Sequence, residues 1–180
     1  MEVLKKKKSN SLENIKDQFP IFKNKINGKD LVYLDSAASS QKPQVVINSI
    51  KSTYENSYAN VHRGIYSLSQ VATDAYEDSR LKIKNFLNAN DVSEIIFTRG
   101  ATEGLNLIAN CLSRKFLSED DEVLISTLEH HSNIIPWQIN CKQRNAKLCE
   151  IKPDKNGDIN LDNVKKLITN KTKIISLPHI

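Results

Sequence analysis

The chain has 180 residues, of which 39% are hydrophobic and 26% charged, enough apolar content for one domain with a sizeable core. No apolar run approaches the ~20 residues of a membrane-spanning helix, and no apolar stretch follows the basic start as it would in a secretory signal, so the default compartment is the cytoplasm, or an organelle matrix if the basic start is a transit remnant. Of the net charge of +5, residues 1–8 carry +3; the remainder offers no basic face, and aromatic residues do not interleave with basic ones as a nucleic-acid surface requires.

Residues 1–18 read as a polar, lysine-rich tail, frayed or loosely helical, and residues 19–180 as one domain. Leu31–Leu34 is a short strand candidate closed by the turn formers Asp35-Ser36. Pro43 suits the first turn of a helix, where its missing N–H costs nothing, and Val46, Ile47, Ile50 and Tyr54 continue a helical stripe. Asn60–Gly64 breaks it. The clearest element follows: Leu68, Val71, Ala72, Ala75, Ser79, Ile83, Phe86 and Leu87 keep a three-to-four spacing.

From there strands and helices alternate. Glu94–Thr98 is expected as a strand, Leu105, Ile108, Ala109 and Leu112 mark a helix, and Val123–Ser126 is a strand. Ile134 to Gln143 is a helix with Pro136 in its first turn. Lys147–Ile151 is a strand, Asn156-Gly157 a turn, Leu161, Val164, Leu167 and Ile168 a helix, and Thr172–Leu177 a last strand. The fold class is therefore α/β: an N-terminal helical segment, then a mainly parallel sheet with helices on both faces. A sheet whose last strand falls at the chain terminus would keep an unpaired edge, so the sheet is expected to be incomplete.

Three segments could carry chemistry. Arg99-Gly100-Ala101-Thr102-Glu103-Gly104 lies between a strand and a helix, where free first-turn N–H groups, small side chains and the Thr102 hydroxyl suit a phosphate. It is neither a Walker loop nor G-x-G-x-x-G, and an ordinary tight turn with Thr102 near a cap position fits equally. Glu129-His130-His131-Ser132-Asn133 follows another strand end; adjacent histidines point apart and no H-E-x-x-H occurs, so no metal site is expected. A histidine ring stacked on a planar cofactor fits, and so does a polar loop in which Ser132 or Asn133 caps the next helix. His62-Arg63-Gly64 joins two helices and could meet an anionic substrate or a neighbouring subunit, or simply be a solvated linker. The three cysteines, Cys111, Cys141 and Cys149, form no C-x-x-C pair; they read as free thiols, with Cys111 packed in the helical stripe, and none has a nucleophile's context.

In order along the chain, Tyr33-Leu34-Asp35-Ser36-Ala37-Ala38-Ser39, Gln41-Lys42-Pro43, Val61–Gly64, Phe97–Gly104 and Glu129–Trp137 together resemble the SUF-type (group II) cysteine desulfurases, within the class V aminotransferase family of fold-type I pyridoxal 5'-phosphate (PLP) enzymes. The resemblance runs from Phe19 to the end. It implies that Ala101 and Thr102 hold the cofactor phosphate, that His130 stacks on the pyridine ring, and that His62 and Arg63 lie near the active site, contributed across a dimer interface or facing substrate. It implies a reaction that removes sulfur from L-cysteine, giving alanine and an enzyme persulfide for iron–sulfur cluster assembly, with a homodimer and a sulfur-acceptor protein as partners.

The departures are as specific. Family members are considerably longer. Their cofactor-binding lysine follows a histidine, and no His-Lys dipeptide occurs here; the aspartate that meets the pyridine nitrogen begins an Asp-Gly motif, and no Asp-Gly occurs here. The nucleophilic cysteine and the carboxylate-binding arginine belong to the part of the family pattern beyond His179, and Ser176-Leu177-Pro178-His179 departs from the usual approach to the substrate-binding asparagine. The chain as given is expected to be inactive alone, as a truncated remnant or half of a split enzyme, with at most weak non-covalent cofactor or partner binding.

Overall fold

A computed structural model of the chain describes residues 15–178. Most of the tail expected at 1–18 lies outside them, as does His179; the tail's last residues, Lys16–Gln18, form a single 3-10 turn. The chain divides into two compact units, with the boundary between Ile95 and Ile96.

Among the described residues the first unit contains helices, irregular connections and one small hairpin, β1 (Lys25–Ile26) and β2 (Lys29–Asp30), paired antiparallel. Its turn is Asn27-Gly28, with φ of 53° and 76°; both central positions of this tight turn type need positive φ, which Asn and Gly tolerate best. The strand expected at Leu31–Leu34 does not form. Apolar, β-prone residues make a strand only where a neighbouring backbone takes up their hydrogen bonds, and among the described residues none runs beside them. The segment curls on itself instead: the Tyr33 hydroxyl donates to the Ser39 carbonyl, and Ser39 N–H donates to the Asp35 carbonyl at 3.0 Å.

Helix α1 (Gln44–Asn56) forms where expected, but Pro43 is its capping residue and not part of its first turn, and its stripe residues Val46, Ile47, Ile50 and Tyr54 are exposed. Helix α2 (Ser67–Phe86) matches the spacing that predicted it. The strand expected at Glu94–Thr98 is also absent. Asp91 accepts from Ser93 N–H at 2.8 Å while Glu94 accepts from Asp91 N–H at 3.1 Å. This reciprocal cap closes a 3-10 turn over Val92–Glu94 where the strand should begin.

The second unit is a three-stranded parallel sheet in the order β4-β3-β5, built from β3 (Glu122–Ser126), β4 (Lys147–Ile151) and β5 (Thr172–Ser176). Strand β3 is central, with Val123 opposite Leu148 on one side and Ile174 on the other. Burial on both faces explains its unbroken apolar run. Val123 and Ile125 join Ile174, Ala109 and Leu117 in one core with Trp137 and Cys141; Leu124 joins Ile151 and Val164 in another. Helices α3 (Ala101–Phe116) and α4 (His131–Arg144) thus supply one layer, and α5 (Leu161–Leu167) supplies the other. The expected arrangement of a parallel sheet with helices on both faces holds. Each fully buried Val, Leu or Ile contributes roughly 1.5–3 kcal/mol, which makes β3 the anchor of this unit.

Candidate functional site

Helix α3 begins without a side-chain cap. Gly100 occupies the cap position, and no side chain accepts from the first-turn N–H groups of Ala101, Thr102 or Glu103. The loop before it is nevertheless held. Thr98 Oγ1 donates to the Gly100 carbonyl at 3.2 Å, and the Glu103 carboxylate accepts from Arg99 N–H at 2.6 Å. A Cβ built on Gly100 would meet nothing within 4 Å, so space opens in front of the turn. The Thr102 hydroxyl is exposed and makes no hydrogen bond among the described residues. Unused N–H groups, an unused hydroxyl, open space and the positive end of a four-turn helix fit an anion such as a phosphate.

Helix α4 starts three residues earlier than the apolar spacing suggested, so Pro136 is its sixth residue and lies inside it. The reason is an unusual cap. His130 is the capping residue: its Nδ1 accepts from Ser132 N–H at 3.1 Å and lies 2.8 Å from Ser132 Oγ. Neither Ser132 nor Asn133 is the cap. A backbone N–H can only donate, so Nδ1 carries the lone pair and the ring proton sits on Nε2. The His130 ring is exposed, and the His131 ring stands nearly perpendicular to it with centroids 6.2 Å apart.

Beneath this cap lies a buried polar network that sequence reasoning missed. Asn133, 6% exposed, donates to Glu129 Oε2 at 2.8 Å and accepts from Trp137 Nε1 at 3.0 Å and from Ser176 Oγ at 2.9 Å. It therefore fastens the loop carrying His130 to the first turn of α4 and to the end of β5. Glu129 Oε1 is buried without a partner among the described residues. The available signal was spacing: Glu129, Asn133 and Trp137 follow one another at i, i+4 and i+8.

The chain order brings the two helix starts to one end of the sheet. Helix α3 leads through a short link into the start of β3, and α4 leaves from its other end, so both begin near the C-terminal ends of the strands. The two helices lie side by side along a cavity of about 390 Å³ lined by Glu103, Asn106, Leu107 and Asn110 from α3 and by Pro136, Ile139, Asn140 and Gln143 from α4; Ala101, Thr102 and His130 are not among its lining residues. Open α/β sheets place ligands outside that end.

His62 and Arg63 belong to the first unit. His62 has φ of 68°, and its Nε2 lies 2.7 Å from Glu77 of α2. Its N–H donates to Thr73 Oγ1 at 2.9 Å, and its ring stands perpendicular to Tyr76 at 5.6 Å. Ser69, fully buried, accepts from Gly64 N–H and donates to the Asn60 carbonyl. The segment is thus strapped to α2, and the Arg63 side chain is exposed. Cys111, expected to pack, is exposed; α3 buries Ala109 and Ser113, which puts residue 111 on the outer side. Cys141 is the core cysteine, and burial, helped by the neighbouring Cys149, pushes its thiol up to about 11. Among the described residues no cluster of three metal-binding side chains occurs, and no helix is long and apolar enough to cross a membrane.

Residues 32–180 match the family model for class-V aminotransferases. The chain belongs to that family. A class-V relative from Halalkalibacterium halodurans, named "probable cysteine desulfurase", is 47% identical over 166 residues, which are 92% of this chain and 41% of the relative. The cysteine desulfurase CsdA of Escherichia coli is 35% identical with a TM-score of 0.74, over 91% of this chain and 40% of that one. The apo cysteine desulfurase of Thermococcus onnurineus NA1 is 32% identical with a TM-score of 0.83, over 94% and 40%. The chain spans about two fifths of the length of these proteins, and the family's enzymes depend on PLP.

Proposed function

We propose that this chain is the N-terminal, cofactor-binding part of a SUF-type cysteine desulfurase, and that residues 19–180 are part of one PLP-dependent transferase domain. The single observation that carries the reading is the uncapped start of α3 with its unused Thr102 hydroxyl, at the same end of the sheet as an exposed imidazole. Ala101 and Thr102 hold the phosphate through backbone N–H groups and the hydroxyl, and the ring of His130 lies against the pyridine. His62 and Arg63 stand near substrate or at a subunit interface. PLP, when bound, supplies an electron sink for chemistry at the carbon of an amino acid. The substrate is L-cysteine, the products are alanine and sulfur passed as a persulfide to an acceptor protein for iron–sulfur assembly, the enzyme is a homodimer, and the setting is the cytoplasm. These residues bind and orient, and no lysine here stands in the family's His-Lys context. The 180 residues alone therefore form no alanine from L-cysteine.

The test is titration of the purified chain with PLP and, separately, with pyridoxal, which lacks the phosphate, followed by absorbance and induced circular dichroism. PLP is expected to bind reversibly and remain removable after borohydride, with pyridoxal much weaker. Thr102→Val is expected to weaken PLP about ten- to hundredfold, the loss of one hydrogen bond to a charged group, and to leave pyridoxal unchanged. Equal binding of the two ligands, or alanine production by this chain alone, refutes the assignment.

A further inference from the structure

We propose that Ser132 is a positioning residue that fixes both the orientation and the tautomer of the His130 ring; the inference rests on His130 being the cofactor-facing imidazole. Helix caps are ordinarily short oxygen-bearing side chains that leave no ring to spare. Here the cap is the imidazole itself. Nδ1 receives two donors from one residue, the Ser132 N–H at 3.1 Å and the Ser132 hydroxyl at 2.8 Å, so the Oγ–H must also donate. These two contacts define the ring plane relative to the axis of α4. Among the described residues Nε2 makes no hydrogen bond, and the His131 ring stands perpendicular to the His130 ring.

A ring held this way differs from a freely rotating surface histidine in two respects. Its χ angles are set before any ligand arrives, so the ordering cost of stacking is already met by the helix start. Its proton is assigned to Nε2, because protonation or tautomer exchange at Nδ1 would break both bonds with Ser132 and leave the start of α4 uncapped. Asn133 supports the arrangement from below: through Glu129 and Ser176 it prevents the loop from lifting away from the sheet. The Ser132 hydroxyl contributes the second donor.

The experiment uses the full chain with a ¹⁵N-histidine label, at a pH near 8, above histidine's ordinary range of about 6.5. Long-range proton–nitrogen spectra report the tautomer without any cofactor present. The wild type is expected to show a protonated Nε2 and a lone-pair Nδ1 at His130, with Ser132→Thr the same. Ser132→Ala is expected to move the nitrogen shifts toward the averaged values of a ring exchanging between tautomers, because the hydroxyl donor is lost and the backbone N–H alone remains. With PLP added, Ser132→Ala is expected to lower the cofactor's induced ellipticity and weaken binding about three- to tenfold, and Ser132→Thr to restore both. A wild-type Nδ1–H tautomer, or a Ser132→Ala variant with unchanged nitrogen shifts, overturns the proposal. Ser132-dependent nitrogen shifts in a chain that binds no PLP uphold the positioning of the ring and overturn the cofactor reading instead.

Discussion

Replacing Asn133 tests whether the polar network under His130 holds the second unit together. In Asn133→Ala the indole N–H of Trp137, 2% exposed, loses its acceptor, and the Ser176 hydroxyl loses the same oxygen. Glu129 loses the donor to Oε2 while its Oε1 already has no partner among the described residues. A buried polar group left unsatisfied costs about 1–3 kcal/mol, and part-buried Ser176 can turn to water, so the expected loss is about 2–4 kcal/mol. That is a large share of the ~5–15 kcal/mol that a domain typically possesses. Asn133→Asp keeps the acceptor for Trp137 and Ser176 but sets a second carboxylate against Glu129, across a gap now bridged at 2.8 Å. Like charges raise the carboxyl pKa of the pair in the folded state, so the folded chain holds more protons than the unfolded one. Stability of this variant should therefore rise as pH falls toward the carboxylate range. The double variant Asn133→Asp with Glu129→Gln exchanges donor and acceptor, and should recover at least half the loss at neutral pH. Urea unfolding followed by the fluorescence of Trp137, the one tryptophan in the chain, measures all of these. A cost below about 0.5 kcal/mol for Asn133→Ala, the scatter of surface substitutions, refutes the reasoning. So does a double variant no more stable than Asn133→Asp.

Two further outcomes follow from local geometry. In Gly64→Ala the new Cβ would lie 2.5 Å from Ser69 Cβ and 2.7 Å from Tyr66 Cε1, so the strap holding His62 must open. A cost of about 1–3 kcal/mol is expected, with shifted His62 resonances; an unchanged spectrum would contradict the described loop. Burial raises the Cys141 thiol from 9.0 to about 11, so the folded chain keeps a proton that the unfolded chain releases between those values. Cys141 should make stability fall with a slope approaching 1.4 kcal/mol per unit as pH rises through about 9 to 11, and Cys141→Ala should reduce the slope of alkaline unfolding curves by that share, with the raised Cys149 thiol still contributing.

Local pattern was sufficient for the helices, apart from the first turn of α4, and for the three strands of the second unit's sheet. The spacing of Leu68 to Leu87 requires a helix in any context, and the runs at Val123, Lys147 and Thr172 found partners in the sheet. The small-residue turn at Arg99–Gly104 could be placed at a helix start because strand-to-helix periodicity changes there, and the structure puts α3 at Ala101. Leu31–Leu34 and Glu94–Thr98 have equally strand-like composition but remain irregular. A strand is a relation between two backbones, and one segment's residues cannot specify whether the second is present.

The sequence by itself determined the α/β class and the order of the helices, since these depend on periodicity and on the chemistry of side chains. Only tertiary structure decided which cysteine is buried, that a histidine caps α4 through Ser132, that Pro136 lies within the helix, and that Asn133 gathers Glu129, Trp137 and Ser176. Those outcomes turn on helix phase and on contacts up to 43 residues apart, where hydrogen-bond satisfaction in a buried setting outweighs the preference of any residue considered alone.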